Sequence, residues 1–548
     1  MKSSNLIEQF RIGLGQINPT VGDFDGNTKK ICSFISSAES DRLDWVIFPE
    51  LSICGYPVWD LANKISFVGK GLKSLKQIVQ FTKGKKVRAV VGFIDFASGP
   101  AHKNYNALAI IQNGKILHKQ YKTLLPNYDV FLEEIFFTPG KQHEIFPVKG
   151  IPFGATICED IWDDQYSVKP VKILVQKGAK VLINISASPY HKEALLARRQ
   201  VVLNKAKDYG VWVIYVNQVG GQDDLIFDGR SFVCDPKGKI RYQAEPFREG
   251  LFKVSFKSEK IVPAALLDTT KEMYEAILLG LQDYVRKNGF KKVVMGLSGG
   301  IDSALVASFA AEALGPESVI GVALPGPFSS DQSLRDAKSL AENLGIQFRV
   351  KSIVPAYQNF MKYAAKSGDQ ISVAMENLQA RLRAIELMYI SNDEGALLLT
   401  TGNKSELAMG YSTLYGDMCG GLSVIGDIYK TDVYRLSKYR NSISNVIPKA
   451  ILKRPPTAEL RPNQKDQDSL PPYPALDLIL YLYIEKNHSY DEIVKKVKTK
   501  NISPQTVRRV LSAVDHNEYK RRQLPPALRI TEKAWFGRRM PITNLFRE

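Results

Sequence analysis

The stretch from Lys291 to Ala307, KKVVMGLSGGIDSALVA, leaves a chain like this few folds to choose from. Val293-Val294-Met295 is a short apolar run of the kind that forms a buried strand. Ser298-Gly299-Gly300 then breaks the strand, and Ala304 to Leu314 reads as a helix without glycine or proline. Strand, glycine loop and helix N-terminus together make an anion site. The loop glycines let backbone N–H groups close on phosphate oxygens, and the helix dipole favours negative charge there. Ser298 and Ser303 add hydroxyl donors, and Asp302 at the turn is placed to hold Mg²⁺ against the same phosphates. Neither G-x-x-x-x-G-K-[ST] nor G-x-G-x-x-G occurs in this stretch, so neither a Walker ATPase nor a dinucleotide dehydrogenase is supported. A tight turn that binds nothing is the alternative these residues leave open.

A chain of 548 residues is expected to hold two or more domains. Its hydrophobic fraction of 44% and charged fraction of 24% are ordinary globular values, so no large disordered part is expected. The longest apolar runs, such as Ala475 to Ile484, are too short to span a bilayer. Met1 to Arg11 lacks the basic-then-apolar order of a signal peptide, so no membrane partner is expected. Cys32, Cys54, Cys158, Cys234 and Cys419 are scattered, odd in number and without C-x-x-C pairs. That argues against a disulfide framework or a zinc site and for a reducing cytoplasm. A net charge of +18 permits nucleic-acid binding, but the basic residues are spread along the chain and no RNA- or DNA-reading motif is present. Small polyanionic substrates such as ATP account for a positive field equally well, and no nucleic-acid partner is expected.

From Phe10 to about Phe256, short apolar strands alternate with helical segments. Arg11–Asn18, Trp45–Phe48, Val87–Phe93 and Ala107–Ile111 read as strands, and Asn113-Gly114 turns the last of them back into Ile116–Lys119 as a hairpin. Thr156–Cys158, Val181–Asn184, Trp212–Val216 and a pair around Pro236-Lys237-Gly238 follow, which makes a mixed α/β domain with a large sheet. Glu50, Lys122 and Cys158 stand at strand ends, where side chains can converge at one edge of a sheet. Carboxylate, amine and thiol are the parts needed for nucleophilic amide hydrolysis. The thiol attacks the carbonyl, the carboxylate takes and returns its proton, and the ammonium stabilises the oxyanion. A neighbouring ammonium favours thiolate, so Cys158 is expected to react near neutral pH despite an unperturbed pKa of about 8.5. Singly, such a cysteine is more often a buried small hydrophobe, such a glutamate a cap and such a lysine a solvated hairpin end. The three together carry the argument, and the six histidines fall outside these motifs.

Between 257 and 269 the pattern loosens into a linker, with a helix over Lys271–Arg286 expected to start from Thr270 as its N-cap. The expected domains are therefore 1–256 and 270–548. In the second, Ser318–Pro325 is a strand, Asp331–Leu344 a helix closed by Gly345, Gln347–Ile353 a strand and Ala396–Thr401 another. Alternating strands and helices argue for a parallel, doubly wound sheet with ligands at the carboxyl ends of its strands. A helix beginning at Glu376 offers Arg381 and Arg383 for anions. Glu406, after Gly402-Asn403-Lys404-Ser405, would share Mg²⁺ with Asp302, and Asp417 follows in a turn.

Phe48-Pro49-Glu50-Leu51, Tyr121-Lys122-Thr123-Leu124-Leu125-Pro126 and Cys158-Glu159-Asp160 occur in the order of the nitrilase, or carbon–nitrogen hydrolase, superfamily. Ser298-Gly299-Gly300-x-Asp302-Ser303 resembles the pyrophosphatase loop of adenylating enzymes that release pyrophosphate from ATP. With Glu376–Arg383, Thr401–Glu406, Gly416-Asp417, Pro456–Asp466, Glu518–Gln523 and Arg538–Asn544, the resemblance narrows to the glutamine-dependent NAD synthetase family and covers nearly the whole chain. It implies a nitrilase-like αββα sandwich followed by a doubly wound ATP pyrophosphatase domain. It further implies Glu50 as general base, Lys122 as oxyanion stabiliser, Cys158 as nucleophile and Glu133 as the carboxylate that positions the lysine. Tyr128, Ser186 and Lys192 are implied glutamine contacts. Gly296, Leu297, Ser298, Gly299, Gly300, Ile301, Asp302, Ser303 and Thr401 are implied at ATP, and Asp302 and Glu406 at Mg²⁺. Asn377, Glu406 and Lys520 are implied at deamido-NAD, with Asp417 and Lys430 as further synthetase-site candidates. The implied substrates are glutamine, deamido-NAD and ATP, and the implied assembly is a homo-oligomer. Two other readings stay open on the residues: an amidase whose second half binds nucleotide only as a regulator, and a basic, tRNA-modifying adenylating enzyme.

Overall fold

The apolar runs of the first half pair into two six-stranded sheets. In the computed structural model, which describes residues 10–97, 103–256, 268–364, 372–546 and 548, the chain divides into two compact units, residues 1–266 and 267–548. The first unit begins with β1 (Arg11–Gln16), α1 (Phe24–Ser40), β2 (Trp45–Ile47), α2 (Ile65–Phe81), β3 (Arg88–Asp95), β4 (Tyr105–Gln112) and β5 (Lys115–Tyr121). After them come β6 (Phe146–Val148), β7 (Ile151–Ile157), α3 (Pro170–Gln176), β8 (Val181–Ser186), α4 (Ala194–Tyr209) and β9 (Trp212–Asn217). A two-stranded ribbon of β10 (Val219–Gln222) and β11 (Leu225–Asp228) precedes β12 (Phe232–Cys234), β13 (Ile240–Gln243) and β14 (Gly250–Ser255).

One sheet runs β14-β1-β2-β3-β4-β5 and the other β13-β12-β9-β8-β7-β6. Ile12, Leu14, Trp45, Ile47, Val90 and Leu108 of the first pack against Phe153, Ala155, Ile157, Ile183, Ile185 and Ile214 of the second. Strand alternation sends the other residues outward. Val46, Ala89, Val91 and Ala109 meet Ile31, Ile35, Leu75 and Ile78 of α1 and α2, and Leu182 and Val213 meet Val171, Leu174, Val202 and Ala206 of α3 and α4. With both faces covered, the unit is an αββα sandwich. Each Val, Leu, Ile or Phe among them contributes about 1.5–3 kcal/mol when taken from water. The hairpin expected at Asn113-Gly114 is present, with both residues at positive φ.

In the second unit α5 (Thr269–Lys287) leads into β15 (Lys292–Gly296), α6 (Ile301–Leu314), β16 (Val319–Ala323), α7 (Asp331–Leu344) and β17 (Gln347–Val350). Next are α8 (Val354–Ala364), α9 (Val373–Glu394), β18 (Ala396–Thr400), α10 (Lys404–Met409), β19 (Leu422–Ser423) and α11 (Lys430–Ile443). The sheet order β17-β16-β15-β18-β19 is parallel at every pair, and the order reverses at β15. Ligand sites of such sheets open at that reversal, outside the carboxyl ends of the strands. Ala408 and Met409 of α10 join a helical core built by Tyr473–Leu480, Tyr490–Val497 and Pro504–His516.

One local expectation changes. Residues 257–267 of the expected linker lie outside the described residues. The helix after it is capped by Asp268, whose carboxylate accepts from Thr270 N at 3.0 Å, and not by Thr270, which is already inside the first turn. A carboxylate there satisfies an orphan N–H and meets the positive end of the helix, an advantage the threonine hydroxyl lacks.

Candidate active sites

Glu50 stands just past β2, and the route of the chain there depends on Gly92 of β3. A Cβ on Gly92 would lie 2.3 Å from Leu51 N and 2.7 Å from Pro49 O, so only glycine lets this segment pass. Lys122 follows β5, and its backbone extends the ladder by donating to Asn106 O at 2.8 Å. Cys158 follows β7 at φ +44°, a left-handed conformation that costs a side-chain-bearing residue about 1–3 kcal/mol. A sharp turn of this kind lifts the thiol off the end of the strand.

These elements bring the predicted hydrolytic residues together. Lys122 Nζ donates to Glu50 Oε1 and Glu133 Oε1, both at 2.8 Å, and the lysine and Glu50 are fully buried. Asn106 Nδ2 donates to the same Glu50 oxygen at 2.7 Å, Ala187 N donates to its other oxygen at 2.9 Å, and the Tyr56 hydroxyl donates to Glu133 at 3.0 Å. Burial works to lower the Lys122 pKa, but Glu133, Glu50 and Cys158 together hold it well above the ordinary lysine value. Burial, against the pull of Lys122, pushes the Glu133 carboxyl up to about 7.

The thiol itself contradicts the expectation of a ready thiolate. Burial first and Glu50 second raise the Cys158 pKa well above its ordinary value, outweighing Lys122. The lysine's charge is already taken up by two carboxylates, so little of it is left for sulfur. Burial and the Glu50 carboxylate thus favour the thiol form of Cys158 over the thiolate.

Among the residues expected at glutamine, the Tyr128 hydroxyl donates to Glu159 at 3.0–3.1 Å, and Tyr166 joins it on the same carboxylate at 2.9 Å. Ser186 ends β8 with its hydroxyl turned to Asn184 Oδ1 at 2.7 Å, and Asn184 Nδ2 reaches back to Cys158 O at 3.4 Å. Lys192 lies in the loop before α4, where its carbonyl oxygen contacts His191 Nδ1. Tyr56, Asn106, Glu159 and Tyr166 were missed from the sequence. Only Glu159, inside the Cys-Glu-Asp motif, carried a local signal.

In the second unit β15 ends at Gly296 and α6 begins at Ile301, with the glycine loop between them. Gly299 has φ +76°, and a Cβ there would meet Ser333 O at 2.3 Å, so the loop tolerates no side chain at this position. Ser298 and Ser303 were expected as phosphate donors. In the structure their hydroxyls lie 3.1 Å apart, Ser298 Oγ accepts from Gly300 N and Ser303 Oγ donates to Gly300 O, which holds the loop open in shape. Asp302 stands in the first helical turn and not in the loop before it.

A cavity of about 320 Å³ opens above this loop, a volume suited to a small molecule. Gly296 to Ser303, Thr401, Glu406, Asp417 and Lys430 all line it, together with Arg383, Glu459 and Asp466. Glu459, at φ +49°, accepts from Ser330 N, Ser330 Oγ and Ser333 Oγ at 2.8–3.2 Å, tying the 455–464 segment to the start of α7. Arg383 is held by Leu324 O at 3.0 Å, and burial lowers its pKa to about 10.

Lys430 bridges Asp302 and Glu406, with Glu406 Oε1 at 3.1 Å. Burial lifts the Glu406 pKa to about 7 against the pull of Lys430, with Asp302 and Asp466 adding to the rise. Three carboxylates thus crowd one ammonium and leave a surplus of negative charge when ionised. Among the described residues no set of three or more acidic, histidine or cysteine side chains is arranged to hold a metal alone. The surplus of negative charge fits Mg²⁺, which binds through one or two carboxylates and takes its other ligands from phosphate and water.

The remaining candidates gather on the loop after α10. Lys520 Nζ donates to Gly410 O and Ser412 O at 2.7 and 2.9 Å, Asn377 Oδ1 accepts from Thr413 Oγ1 at 2.7 Å, and Asp417 Oδ1 accepts from Thr413 N at 2.7 Å. Asn377, Asp417 and Lys520 are therefore one group, whereas Glu406 belongs with Asp302 and Lys430.

Comparison with known proteins matches each half. The family model described as carbon-nitrogen hydrolase covers residues 11–265, and the one described as NAD synthase covers residues 273–525. The glutamine-dependent NAD(+) synthetase of Thermotoga maritima is 41% identical over 99% of this chain and 100% of its own length. That of Acinetobacter baylyi is 42% identical over 99% of both. A solved glutamine-dependent NAD+ synthetase from Acinetobacter baumannii in complex with ADP is 39% identical, covers 98% of both chains and superposes with a TM-score of 0.76. The enzyme of that name from Cytophaga hutchinsonii, 23% identical with a TM-score of 0.83 over 98% of both chains, bears on the fold alone. Identity of this order across both halves, in the order hydrolase then synthase, leaves one conclusion: the chain belongs to the glutamine-dependent NAD(+) synthetase family.

Proposed function

We propose that the chain hydrolyses glutamine in its first unit and uses the ammonia in its second to amidate deamido-NAD, with ATP giving AMP and pyrophosphate. The observation that carries this reading is the Lys122 ammonium held between Glu50 and Glu133 beside Cys158, in a chain that also bears the Ser-Gly-Gly-x-Asp-Ser loop. The domains are 1–256 and 270–548 with a linker over 257–269. A division into units at 266/267 supports this.

Glu50 takes the thiol proton as Cys158 attacks the glutamine amide and returns it to the departing ammonia. Water, giving a proton to Glu50, then cleaves the resulting thioester to glutamate, and that proton restores the thiol. Lys122, kept charged by its two carboxylates, faces the oxyanion. Glu133 holds the lysine in place, and Tyr128, Ser186 and Lys192 contact glutamine. In the second unit the deamido-NAD carboxylate attacks the α-phosphate of ATP, pyrophosphate leaves, and ammonia displaces AMP. The N–H groups from Gly296 to Ser303 and the Thr401 hydroxyl hold ATP. Asn377 and Lys520, with Asp417 beside them, and Glu406, with Lys430 beside it, hold deamido-NAD. Asp302 and Glu406 would hold Mg²⁺, which when bound supplies neutralisation of phosphate charge.

The five cysteines are unpaired, which supports a reducing cytoplasm. Among the described residues no helix is long and apolar enough to cross a membrane. The partners are small molecules and further copies of the chain. A homo-oligomer is supported by the apolar residues that α8 and α9 expose: Phe360, Tyr363, Val373, Ile385 and Tyr389 are 52–92% accessible. Ile385→Asp with Tyr389→Asp is expected to reduce the particle mass measured by light scattering. An unchanged mass, or a monomeric parent, would exclude this face as the interface.

The function is tested by incubating the chain with deamido-NAD, ATP, Mg²⁺ and glutamine while NAD and pyrophosphate are followed together. Equal amounts of both are expected. Glutamate formed without pyrophosphate would point instead to an amidase whose second unit only senses nucleotide.

A further inference from the structure

One buried carboxylate outside the hydrolytic set joins two of its segments. Asp160 lies two residues after Cys158 and is 1% accessible. Its Oδ1 accepts from Thr123 N at 3.0 Å and Leu124 N at 2.8 Å, and its Oδ2 accepts from Ile157 N at 3.1 Å. The first two amides directly follow Lys122, and the third directly precedes Cys158. Among the described residues Asp160 has no ion pair, so backbone N–H groups are its hydrogen-bond partners.

We propose that Asp160 is a positioning residue for glutamine hydrolysis: its carboxylate straps the segment that presents Lys122 to the strand end that presents Cys158. The inference rests on the glutaminase reading above. Three considerations support it. Buried N–H groups seek partners, and two of these lie outside any ladder, where the carboxylate supplies what secondary structure does not. The left-handed backbone at Cys158 persists only where its surroundings over-determine it, and the bond to Ile157 N acts one residue away. The ammonium and the thiol reach a single carbonyl from two sheets, Lys122 from the end of β5 and Cys158 from the end of β7. A tie between those ends therefore sets their separation, and a misplacement of about 1 Å costs on the order of a hundredfold in rate.

Asp160→Asn tests this with little change of volume. A side-chain amide offers one acceptor oxygen where the carboxylate offers two, so either Ile157 N–H or the Thr123–Leu124 pair would face an NH₂ group. Glutamate release by the full-length variant is expected to show kcat lower by about 10- to 100-fold with KM for glutamine changed less than about threefold. NAD formation from ammonium salts should stay at the parent rate. In the parent protein, hydrogen exchange should protect the amides of residues 123 and 124 to the level of the neighbouring strands, a readout independent of how the variant folds. A parent-like kcat, a change confined to KM, equal loss of ammonia-driven synthesis, or rapid exchange at 123 and 124 would each overturn the proposal. Retention of glutamine use by Cys158→Ala would instead overturn the glutaminase reading itself, whatever Asp160→Asn does.

Discussion

Cys158→Ala is expected to lower glutamine-driven NAD formation by about a thousandfold or more while leaving ammonia-driven formation at the parent rate. The loss is large because, among the described residues, no second thiol or hydroxyl is hydrogen-bonded to Glu50 to take over as nucleophile. Glu50 is already engaged by Lys122, Asn106 Nδ2 and Ala187 N. Removing one small sulfur leaves the Glu50–Lys122–Glu133 ion set intact, so the unit should stay folded. Breaking that set, by contrast, would strand buried charge at about 3–5 kcal/mol. Parallel assays with glutamine and with ammonium salts read the effect, and equal loss of both activities in a folded protein would refute separate sites.

The mirror image is expected of Asp302→Asn. Synthesis should fall by about a hundredfold or more with either nitrogen source, whereas glutamine hydrolysis measured without nucleotides should persist. Asp302 stands in the first turn after the glycine loop and shares Lys430 with Glu406. Its conversion to a neutral amide removes one of the two carboxylates proposed to hold Mg²⁺ and frees Lys430 to pair with Glu406 alone. A steep rise in the Mg²⁺ concentration needed for half-maximal rate should accompany the loss. Parent-like dependence on Mg²⁺ would remove Asp302 from that role.

What could be read from residues alone follows the range of the interactions. The phosphate loop is a local signal: an apolar run, two glycines and a helix former announce its strand, turn and helix within a few positions. Glu50, Lys122 and Cys158 were visible as strand-end residues for the same reason. Glu50, however, takes its hydrogen bonds from Asn106 and Ala187, 56 and 137 positions away, and no period or spacing announces such pairs. Lys430 reaches Asp302 across 128 positions and Glu406 across 24. The thiol shows the same limit. A nearby lysine is visible in a motif, but the depth of burial and the two carboxylates that occupy it are not, so the expected shift had the wrong sign. Asp160 belongs to the Cys-Glu-Asp motif, yet its bonds to two separate segments emerge only once β5 and β7 are placed.

The central claim is that nitrogen freed in the first unit completes a dinucleotide in the second. Turnover with glutamine labelled with ¹⁵N at its side-chain amide, together with deamido-NAD, ATP and Mg²⁺, tests it most directly through the mass of the NAD formed. NAD one mass unit heavier is expected, with one pyrophosphate released for each molecule. Label found only in free ammonium, with deamido-NAD and ATP unconsumed, would contradict it.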